Sequence, residues 1–441
     1  MTLSSISQEG TFTSLSKYQK QTLGLLTIGT FLEYFDLMLY IHMTLLLNEI
    51  FFPKTDHHTT ILLSAFAFCS SYILRPVGAM LFGVIGDKLG RKSIIIITTF
   101  MMAVSCIIMA NIRTYAQIGI MASWLVTMCR VMQGISSASE FVGAKLYLTE
   151  TLKPPIRYPS VMLMSIGMAI GTIVALFMAS FVISHGINWR YLFWFGSVIA
   201  IISLFARTKL QETTDFMEAK NKINQPNSIS KNIVSQNVTF KTVVALFLLQ
   251  CIWPISSYFS YIYCGDVLKN SFGFTAVQVI NENLMISIAN LIILIIISYY
   301  SYKIYPLKLA KFLLIPFVMT ITIGPYLLMQ YYTADNLFML RLLIILFSPY
   351  AGLVMPISFM YVPVLKRFRY VSLSFAISTT IFYCVTPFSM VHLIDIFNYS
   401  GVTIIIFPLA ICFLWAIMHF ERLENRSVND INYHEQPLLN L

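Results

Sequence analysis

The chain has 441 residues, of which 57% are apolar and only 11% are charged, and its mean hydropathy of +0.75 exceeds what a water-soluble core requires. This composition excludes an ordinary soluble domain and predicts an all-α membrane protein. The net charge of +10 does not indicate a nucleic-acid surface, because the basic residues are placed between apolar segments instead of forming one patch.

Apolar segments long enough to cross a bilayer recur along the whole chain. A crossing takes roughly 20 helical residues, and we predict twelve such spans. Those of the first half lie near 21–43, 60–84, 94–111, 116–139, 160–184 and 191–207. Those of the second half lie near 242–264, 279–300, 311–331, 338–362, 371–392 and 401–420.

A polar stretch at 208–241 interrupts the apolar pattern, and it is rich in Asn and carries charges of both signs. We interpret it as a cytoplasmic central linker between an N-terminal six-helix bundle at 21–207 and a C-terminal six-helix bundle at 242–420. Two bundles of equal size are typical of transporters built from related halves. Residues 1–20 and 421–441 are predicted to be cytoplasmic tails. No cleavable leader is expected, because the first apolar run continues for a full crossing.

Lys and Arg residues concentrate in connections that lie on one side of the predicted membrane. Examples are Lys88, Arg91, Lys92, Lys366 and Arg367. Positive residues are retained on the cytoplasmic side. The sequence therefore predicts a multi-pass membrane protein with both termini in the cytoplasm.

Motifs of several enzyme and metal-binding classes are missing from the sequence. It contains no G-x-x-x-x-G-K-[ST], H-E-x-x-H or G-x-S-x-G, which argues against an ATP-driven pump, a zinc hydrolase and a serine hydrolase. The seven Cys are single and lack metal or redox spacing. The adjacent His57 and His58 are interpreted as solvated residues of an outer loop. We expect no enzyme activity, no cofactor and no metal.

Charged residues inside predicted spans indicate function, because each costs about 2.5–3.5 kcal/mol at the centre of a bilayer. Glu33 and Asp36 lie three residues apart on one face of the first span, where neighbouring carboxylates raise each other's proton affinity. Arg130 lies in the fourth span, and Glu140 follows it. We interpret these four as candidates for proton coupling or substrate binding. Buried ion pairs that fix helix packing are the alternative, which stays open in particular for Arg75 of the second span and for Glu150, which follows Glu140.

The turn between the second and third spans carries a recognisable motif. Gly83, Asp87, Gly90, Arg91 and Lys92 resemble the G-x-x-x-D-x-x-G-R-[KR] loop of the major facilitator superfamily. Three further stretches are similar to the metabolite:proton symporter branch, namely FLEYFDLMLY at 31–40, RPVGAMLFG at 75–83 and RVMQGISSASEFVGAKLYLTE at 130–150. That branch includes proline/betaine, shikimate, citrate and 2-oxoglutarate carriers.

The resemblance implies the major facilitator fold, with twelve transmembrane helices in two six-helix bundles, and uptake of a small molecule together with protons. It also implies a monomer in the lipid bilayer of a bacterial inner membrane. Glu33, Asp36, Arg130 and Glu140 match motif residues of the family, and Asp87 and Arg91 would act as gating residues.

Three stretches depart from the family pattern. The family's G-G-E is Ala138-Ser139-Glu140 here, and Arg369-Tyr370-Val371 lacks the usual glycine. The second-half loop, SYYSYKIYPLKLAK at 298–311, lacks the acid and the G-R pair, so one gating contact is expected to be missing. With a predicted tail of only 421–441, we expect no coiled coil like that of the osmosensing carriers.

The substrate is predicted from the seventh span, which offers Gln250, Trp253, Tyr258 and Tyr261 as lining residues. Aromatic faces suit a quaternary ammonium group. We therefore favour a compatible solute such as proline or betaine, with its carboxylate near Arg130.

Other functions remain as alternatives. An organic dicarboxylate would need a second cation, for which Arg75 is available. An exporter is disfavoured because the fifth span carries Gly167 and Gly171 without the G-P pair of the superfamily's antiporters. A non-transporting scaffold would leave the cost of the charges within the spans unexplained.

Overall fold

The computed structural model describes residues 15–53, 72–223 and 238–434, and within these ranges the chain forms helices and no strand. Twelve long helices confirm the predicted all-α architecture. They are α1 (Lys17–Phe51), α2 (Arg75–Leu89), α3 (Arg91–Asn111), α4 (Ile120–Thr151), α5 (Arg157–His185), α6 (Arg190–Arg207), α7 (Phe240–Phe272), α8 (Ala276–Lys303), α9 (Pro306–Gln330), α10 (Ala334–Tyr361), α11 (Val364–Phe397) and α12 (Ser400–His434). Short helices at Tyr115–Ile118 and Thr214–Ile223 lie between them.

Ten of the described helices are long and apolar enough to cross a membrane, and α2 and α4 are the other two. The first part of the predicted span 60–84 lies outside the described residues, as do His57 and His58. Helix α4 continues well beyond the predicted end of its span at 139. This extension carries charged residues that hydropathy assigned to a connection.

Glycines with positive φ separate several of these helices. Gly90, with φ of 108°, ends α2 directly before α3 begins, and Gly186 and Gly273 end α5 and α7 in the left-handed conformation. This conformation costs glycine little because it has no Cβ. The charged turn between α2 and α3 is therefore as short as the motif predicts.

Helices α1–α6 and α7–α12 form two bundles. Within the first, α1 and α5 approach closely at Gly171, where an added Cβ would lie 2.3 Å from the carbonyl oxygen of Phe31. Small residues such as this glycine allow two membrane helices to approach closely. Between the bundles, α5 packs against α8 and α2 against α11. At Gly83 an added Cβ would lie 2.8 Å from the Cα of Arg369.

Helix α7 is interrupted twice along its length. Its α-helical pieces Phe240–Leu248, Ile252–Ser257 and Cys264–Phe272 are joined by a break after Leu248 and by a π-helical turn at Tyr258–Tyr263. Pro254 lies between the two interruptions and removes one backbone donor. The middle of α7 therefore faces the space between the bundles with an irregular backbone, as is common near functional sites.

Candidate functional site

A cavity of about 1010 Å³, part of it open to solvent, lies between the two bundles. Both bundles line it, and the second bundle contributes mainly aromatic, amide and hydroxyl groups. Of the residues predicted to contact substrate, Arg75, Gln250, Trp253 and Tyr261 line this cavity. Tyr258 is not among the residues that line the cavity and packs, partly buried, against the main hydrophobic core.

Two cationic side chains line the cavity, and no Asp or Glu of the described residues does. Arg75, in the first turn of α2, stacks on Tyr72 with its guanidinium carbon 4.3 Å from the ring centroid, and its Nε has no described hydrogen-bond partner. Lys145, on α4, lies over Phe141 at 4.0 Å, and its Nζ is 3.4 Å from the hydroxyl of Ser165.

Lys145 was not predicted as a site residue. It is 2% exposed and forms no ion pair within the described parts of the chain. Hydropathy ended the fourth span before this position, so the lysine was counted as a connection residue. The stretch at 130–150 that resembles the symporter branch could have indicated Lys145, because the lysine follows Glu140 there within two helical turns.

A smaller pocket of about 240 Å³ adjoins the cavity at Arg75, which lines both. It contains Glu33, Asp36 and Arg130, three of the four predicted coupling residues. Arg130 Nη1 lies 3.4 Å from Asp36 Oδ2 and donates to Gln133 Oε1 at 2.7 Å. The structure thus brings these predicted residues together.

Glu33 differs from Asp36 in having no ion-pair partner among the described residues. It is 5% exposed, and its Oε2 accepts no hydrogen bond from any described group. The charges that act on it come from Arg75, Glu140, Arg207 and Lys145. Because none of these groups forms an ion pair with it, a proton or a charged molecule that enters the pocket can act directly on the Glu33 carboxyl group.

Glu140, the fourth predicted residue, faces away from the cavity. Its Oε1 accepts a hydrogen bond of 2.6 Å from Nη1 of Arg207, which also contacts the Thr99 hydroxyl. Arg207 is fully buried and packs against Gly29 of α1, where no side chain would fit. The sequence did not single out Arg207, because a basic residue at the end of a span resembles an ordinary inner positive charge.

Helices α2, α4 and α11 meet at the end of the molecule where α2 passes into α3, which we call the basic face. There Asp87 accepts hydrogen bonds from the backbone amides of Phe368 and Arg369 at 3.1 and 3.2 Å. A carboxylate is favourable near the start of a helix, where the helix dipole is positive. Arg91 donates two hydrogen bonds of 2.9 Å to Glu150 and another to the Val364 carbonyl.

Glu150 connects the two bundles at the basic face. It also binds Arg367 of α11, at 3.1 Å, and the hydroxyl of Thr213, at 2.7 Å. Arg367 Nη1 lies 3.8 Å from Asp215 of the short helix Thr214–Ile223. Burial, followed by the neighbouring Glu150 carboxylate, raises the pKa of Asp215 above its usual range.

The segment after α6 contributes a further contact with the motif. Glu212 accepts hydrogen bonds from the backbone amides of Arg91 and Lys92 at 2.9 and 3.3 Å and thereby caps α3. An added Cβ at Gly90 would lie 2.0 Å from this carboxylate. Glycine is therefore required at position 90 for two reasons: the backbone has a positive φ, and a side chain would collide with Glu212.

The second-half loop was expected to lack a gating contact because it has no acid. In the structure an acid of another helix contacts this loop: the hydroxyl of Tyr305 donates a hydrogen bond to Glu424 of α12. Across the bundle boundary the ring of Tyr305 meets Tyr158 edge to face, with centroids 6.3 Å apart. Sequence spacing could not show this contact, because its partners are far apart in the chain.

Comparisons with known proteins agree with these observations. The model of the Major Facilitator Superfamily matches residues 26–365. A putative proline/betaine transporter of Staphylococcus aureus (strain MSSA476) is 29% identical over 246 residues, which are 53% of this chain and 50% of the relative. A citrate-proton symporter of Salmonella typhi is 28% identical over 377 residues, 82% of this chain and 84% of the relative.

The chain spans about half the length of the first of these relatives. Among solved structures, that of the proton:xylose symporter XylE bound to 6-bromo-6-deoxy-D-glucose has a TM-score of 0.76 at 13% identity, covering 91% of this chain and 95% of XylE. This likeness shows the fold alone. Together the comparisons confirm the predicted resemblance to metabolite:proton symporters.

Proposed function

Because the chain belongs to the Major Facilitator Superfamily, we propose that it is a symporter that carries a small organic anion together with a proton by alternating access. The observation that carries this proposal is the presence of two buried cations on the cavity wall, Arg75 and Lys145, without a carboxylate beside them in the described part of the lining. It favours the organic acid over the compatible solute that the aromatic residues of α7 first suggested.

The remaining buried cations support this choice. Arg91, Arg130, Arg207, Arg341 and Arg367 each have a carboxylate within 4.0 Å. A buried charge without a partner is strongly unfavourable. A substrate carboxylate would supply the missing partner for Arg75 and Lys145, and a dicarboxylate would supply one for each.

Glu33 is the proposed proton site among the four coupling candidates. While it is ionised, its charge offsets part of the field of Arg75 and Lys145, and when it takes up a proton both cations become available to the substrate. Proton binding and anion binding therefore strengthen each other. Asp36 is less suited to this role, because Arg130 already neutralises it.

The gate follows from the contacts at the basic face. We place this face in the cytoplasm, because most of the connections that carry Lys and Arg lie on it. The protein is then a monomer in the inner membrane of a bacterium, as the resemblance to the family implies. The cavity is then closed toward the cytoplasm. Release would require Asp87 to leave the amides of α11 and Arg367 to separate from Glu150.

A compatible solute is the second candidate. The faces of Trp253, Tyr350 and Tyr383 in the cavity wall could hold a quaternary ammonium group, while either cation binds the carboxylate. The relatives named as proline/betaine transporters favour this alternative. The two candidates differ in whether a positive group on the substrate is needed.

The test is uptake into proteoliposomes containing the full-length protein under an imposed inward proton gradient. Labelled 2-oxoglutarate, citrate, glycine betaine and proline would be compared for wild type, Glu33→Gln and the control Glu421→Gln, which alters a half-exposed pair far from the cavity. We expect gradient-driven accumulation of an organic acid. Glu33→Gln should lose this accumulation but keep substrate exchange, because its neutral amide imitates the protonated acid.

Each other outcome has a defined meaning. Accumulation of betaine or proline alone would establish the second candidate. Uptake of none of the four by correctly inserted protein would contradict anion symport and favour an exporter or a non-transporting membrane protein. Full accumulation by Glu33→Gln would move the proton site to Asp36 or Glu140.

A further inference from the structure

The π-helical turn of α7 is held from outside by two neighbouring helices. The Asn283 side-chain amide of α8 donates to the backbone carbonyl of Tyr261 at 3.2 Å, and Ser287, one turn further along α8, donates to the Tyr261 hydroxyl at 3.2 Å. From α10, the carbonyl of Arg341 accepts from Ser260 at 3.3 Å. These contacts matter for the cavity because Tyr261 and Ser287 both line it.

Arg341 is the buried cation behind this turn. It is 0% exposed, its Nη2 donates to Asn283 Oδ1, and its Nη1 lies 3.3 Å from Glu282 Oε2. Its Nε and Nη1 make no hydrogen bond with any described group. Such a side chain is costly in the interior of a membrane protein, so its retention requires a reason.

The chemistry of Asn283 supplies that reason. A guanidinium only donates hydrogen bonds, so Arg341 turns the amide oxygen of Asn283 toward itself and leaves the amide nitrogen facing Tyr261. The reverse orientation would place the oxygen of Asn283 against the carbonyl of Tyr261, and two acceptors repel. Asn283 can therefore support the π-helical turn only while Arg341 sets its orientation.

We propose that Arg341 is a positioning residue for substrate binding: by orienting Asn283, it holds the π-helical turn of α7 so that Tyr261 faces the cavity beside Ser287. The consequence for binding rests on the proposed function, whereas the positioning itself does not. A π-helical turn has a wider hydrogen-bond spacing than an α-helical turn, so its loss would rotate Tyr261 away from its position in the cavity wall. Arg341 thus affects the substrate without contacting it.

Asn283→Asp separates positioning from a simple ion pair. Aspartate keeps an acceptor for Arg341 and adds a charge that strengthens their pairing, but it has no donor for the carbonyl of Tyr261. Arg341→Met removes the orienting group altogether. Glu421→Gln, which alters the half-exposed pair with Lys311 in the same bundle, is the control.

The first measurement is hydrogen–deuterium exchange of peptides covering 258–264 in the purified full-length protein. Loss of one hydrogen bond should raise exchange there roughly five- to ten-fold in Asn283→Asp and in Arg341→Met, but not in the control. Wild-type exchange in Asn283→Asp would overturn the proposal, because Arg341 would then act only as a buried ion. If Arg341→Met does not fold, Arg341→Gln takes its place, because a glutamine amide can donate or accept and so no longer fixes the orientation of Asn283.

The second measurement is uptake of 2-oxoglutarate and of glycine betaine by the same proteins in proteoliposomes. For whichever solute wild type carries, KM should rise roughly ten-fold while the maximal rate changes less than about two-fold. An unchanged KM despite faster exchange would overturn the role in substrate binding. Altered exchange together with wild-type protein that carries neither solute would contradict the proposed function and leave the positioning by Arg341 supported.

Discussion

The two bundles differ in where they keep buried charge. Among the described residues, helices α1–α6 contain nine buried charged side chains, whereas α7–α12 contain two, Arg341 and Arg367. The second bundle instead lines the cavity with residues such as Gln250, Trp253 and Tyr350. In the described residues, the first bundle therefore holds most of the buried charge, while the second bundle contributes mainly uncharged aromatic and amide groups to the cavity wall.

This division has a physical advantage for a coupled transporter. Ionisable groups placed in one bundle can exchange protons and ion pairs without being separated when the bundles move against each other. Aromatic and amide groups adapt their contacts at little electrostatic cost, so they suit the half that changes its distance from the charges. The exception is at the basic face, where a carboxylate of the first bundle holds an arginine of the second.

The largest effect is expected for Glu150→Gln, which removes the ion pair between Glu150 of the first bundle and Arg367 of the second. The amide would leave Arg91 and Arg367 buried without their shared carboxylate, and breaking a buried pair costs about 3–5 kcal/mol. Thermal unfolding in detergent should show a loss of this size. Glu421→Gln, whose half-exposed partner is Lys311, should lose only about 0–1 kcal/mol. Equal stabilities would show that Glu150 does not hold the bundles together.

Much of this arrangement can be predicted from the sequence, because it depends on local patterns. Apolar segment length predicts the helices, and the spacing of the loop motif predicts Asp87 and Arg91 at a helix junction. Glu33 and Asp36 share one pocket because three residues are almost one helical turn. These features need no knowledge of which helices are neighbours.

The rest depends on contacts that a single sequence does not specify. Lys145 was missed because hydropathy ends a span where charges begin, although the helix continues to Thr151 and its buried residues continue to Glu150. The sequence did not single out Arg341, because its partners Glu282 and Asn283 are on α8, about sixty residues earlier in the chain. Glu424 reaches Tyr305 from α12, so the acid that the second-half loop lacks comes from a different helix.

Lys145→Met tests whether the first bundle recognises the charge of the substrate, because it removes one of the two cations from the cavity wall. Loss of a hydrogen bond to a charged group should raise KM for a transported organic acid about 10- to 100-fold. The free energy of unfolding should not fall, because a buried charge without a described ion-pair partner is removed.

The control for this variant is Lys311→Met, which removes a lysine of the same size from the half-exposed pair with Glu421. Its KM should stay within about two-fold of the wild-type value. An unchanged KM in Lys145→Met, measured as proton-driven uptake in proteoliposomes, would show that Lys145 does not contact the substrate. The negative charge of the substrate would then be recognised by Arg75 alone.

The smallest expected effect concerns Asp215, the second acid near Arg367. Because burial raises its pKa, the protonated form is favoured in the folded protein, and its contribution to stability is lost as pH rises through that pKa. Asp215→Asn, which cannot ionise, should therefore match wild type near pH 4 and be slightly more stable at pH 7. The difference should be below about 0.5 kcal/mol, since a third of the side chain is exposed.

Unfolding temperatures measured from pH 4 to 7 decide this point, with Glu421→Gln in the second bundle as the control, because Glu421 pairs with Lys311 and not with Arg367. If Asp215 were a true ion-pair partner of Arg367, its removal would instead destabilise the protein at pH 7. The expected sign follows from geometry, because Glu150 lies 3.1 Å from Arg367 Nη1 and Asp215 lies 3.8 Å away. Burial opposes the charged form of Asp215, repulsion from Glu150 adds to this effect, and the attraction to Arg367 across 3.8 Å does not offset the two together.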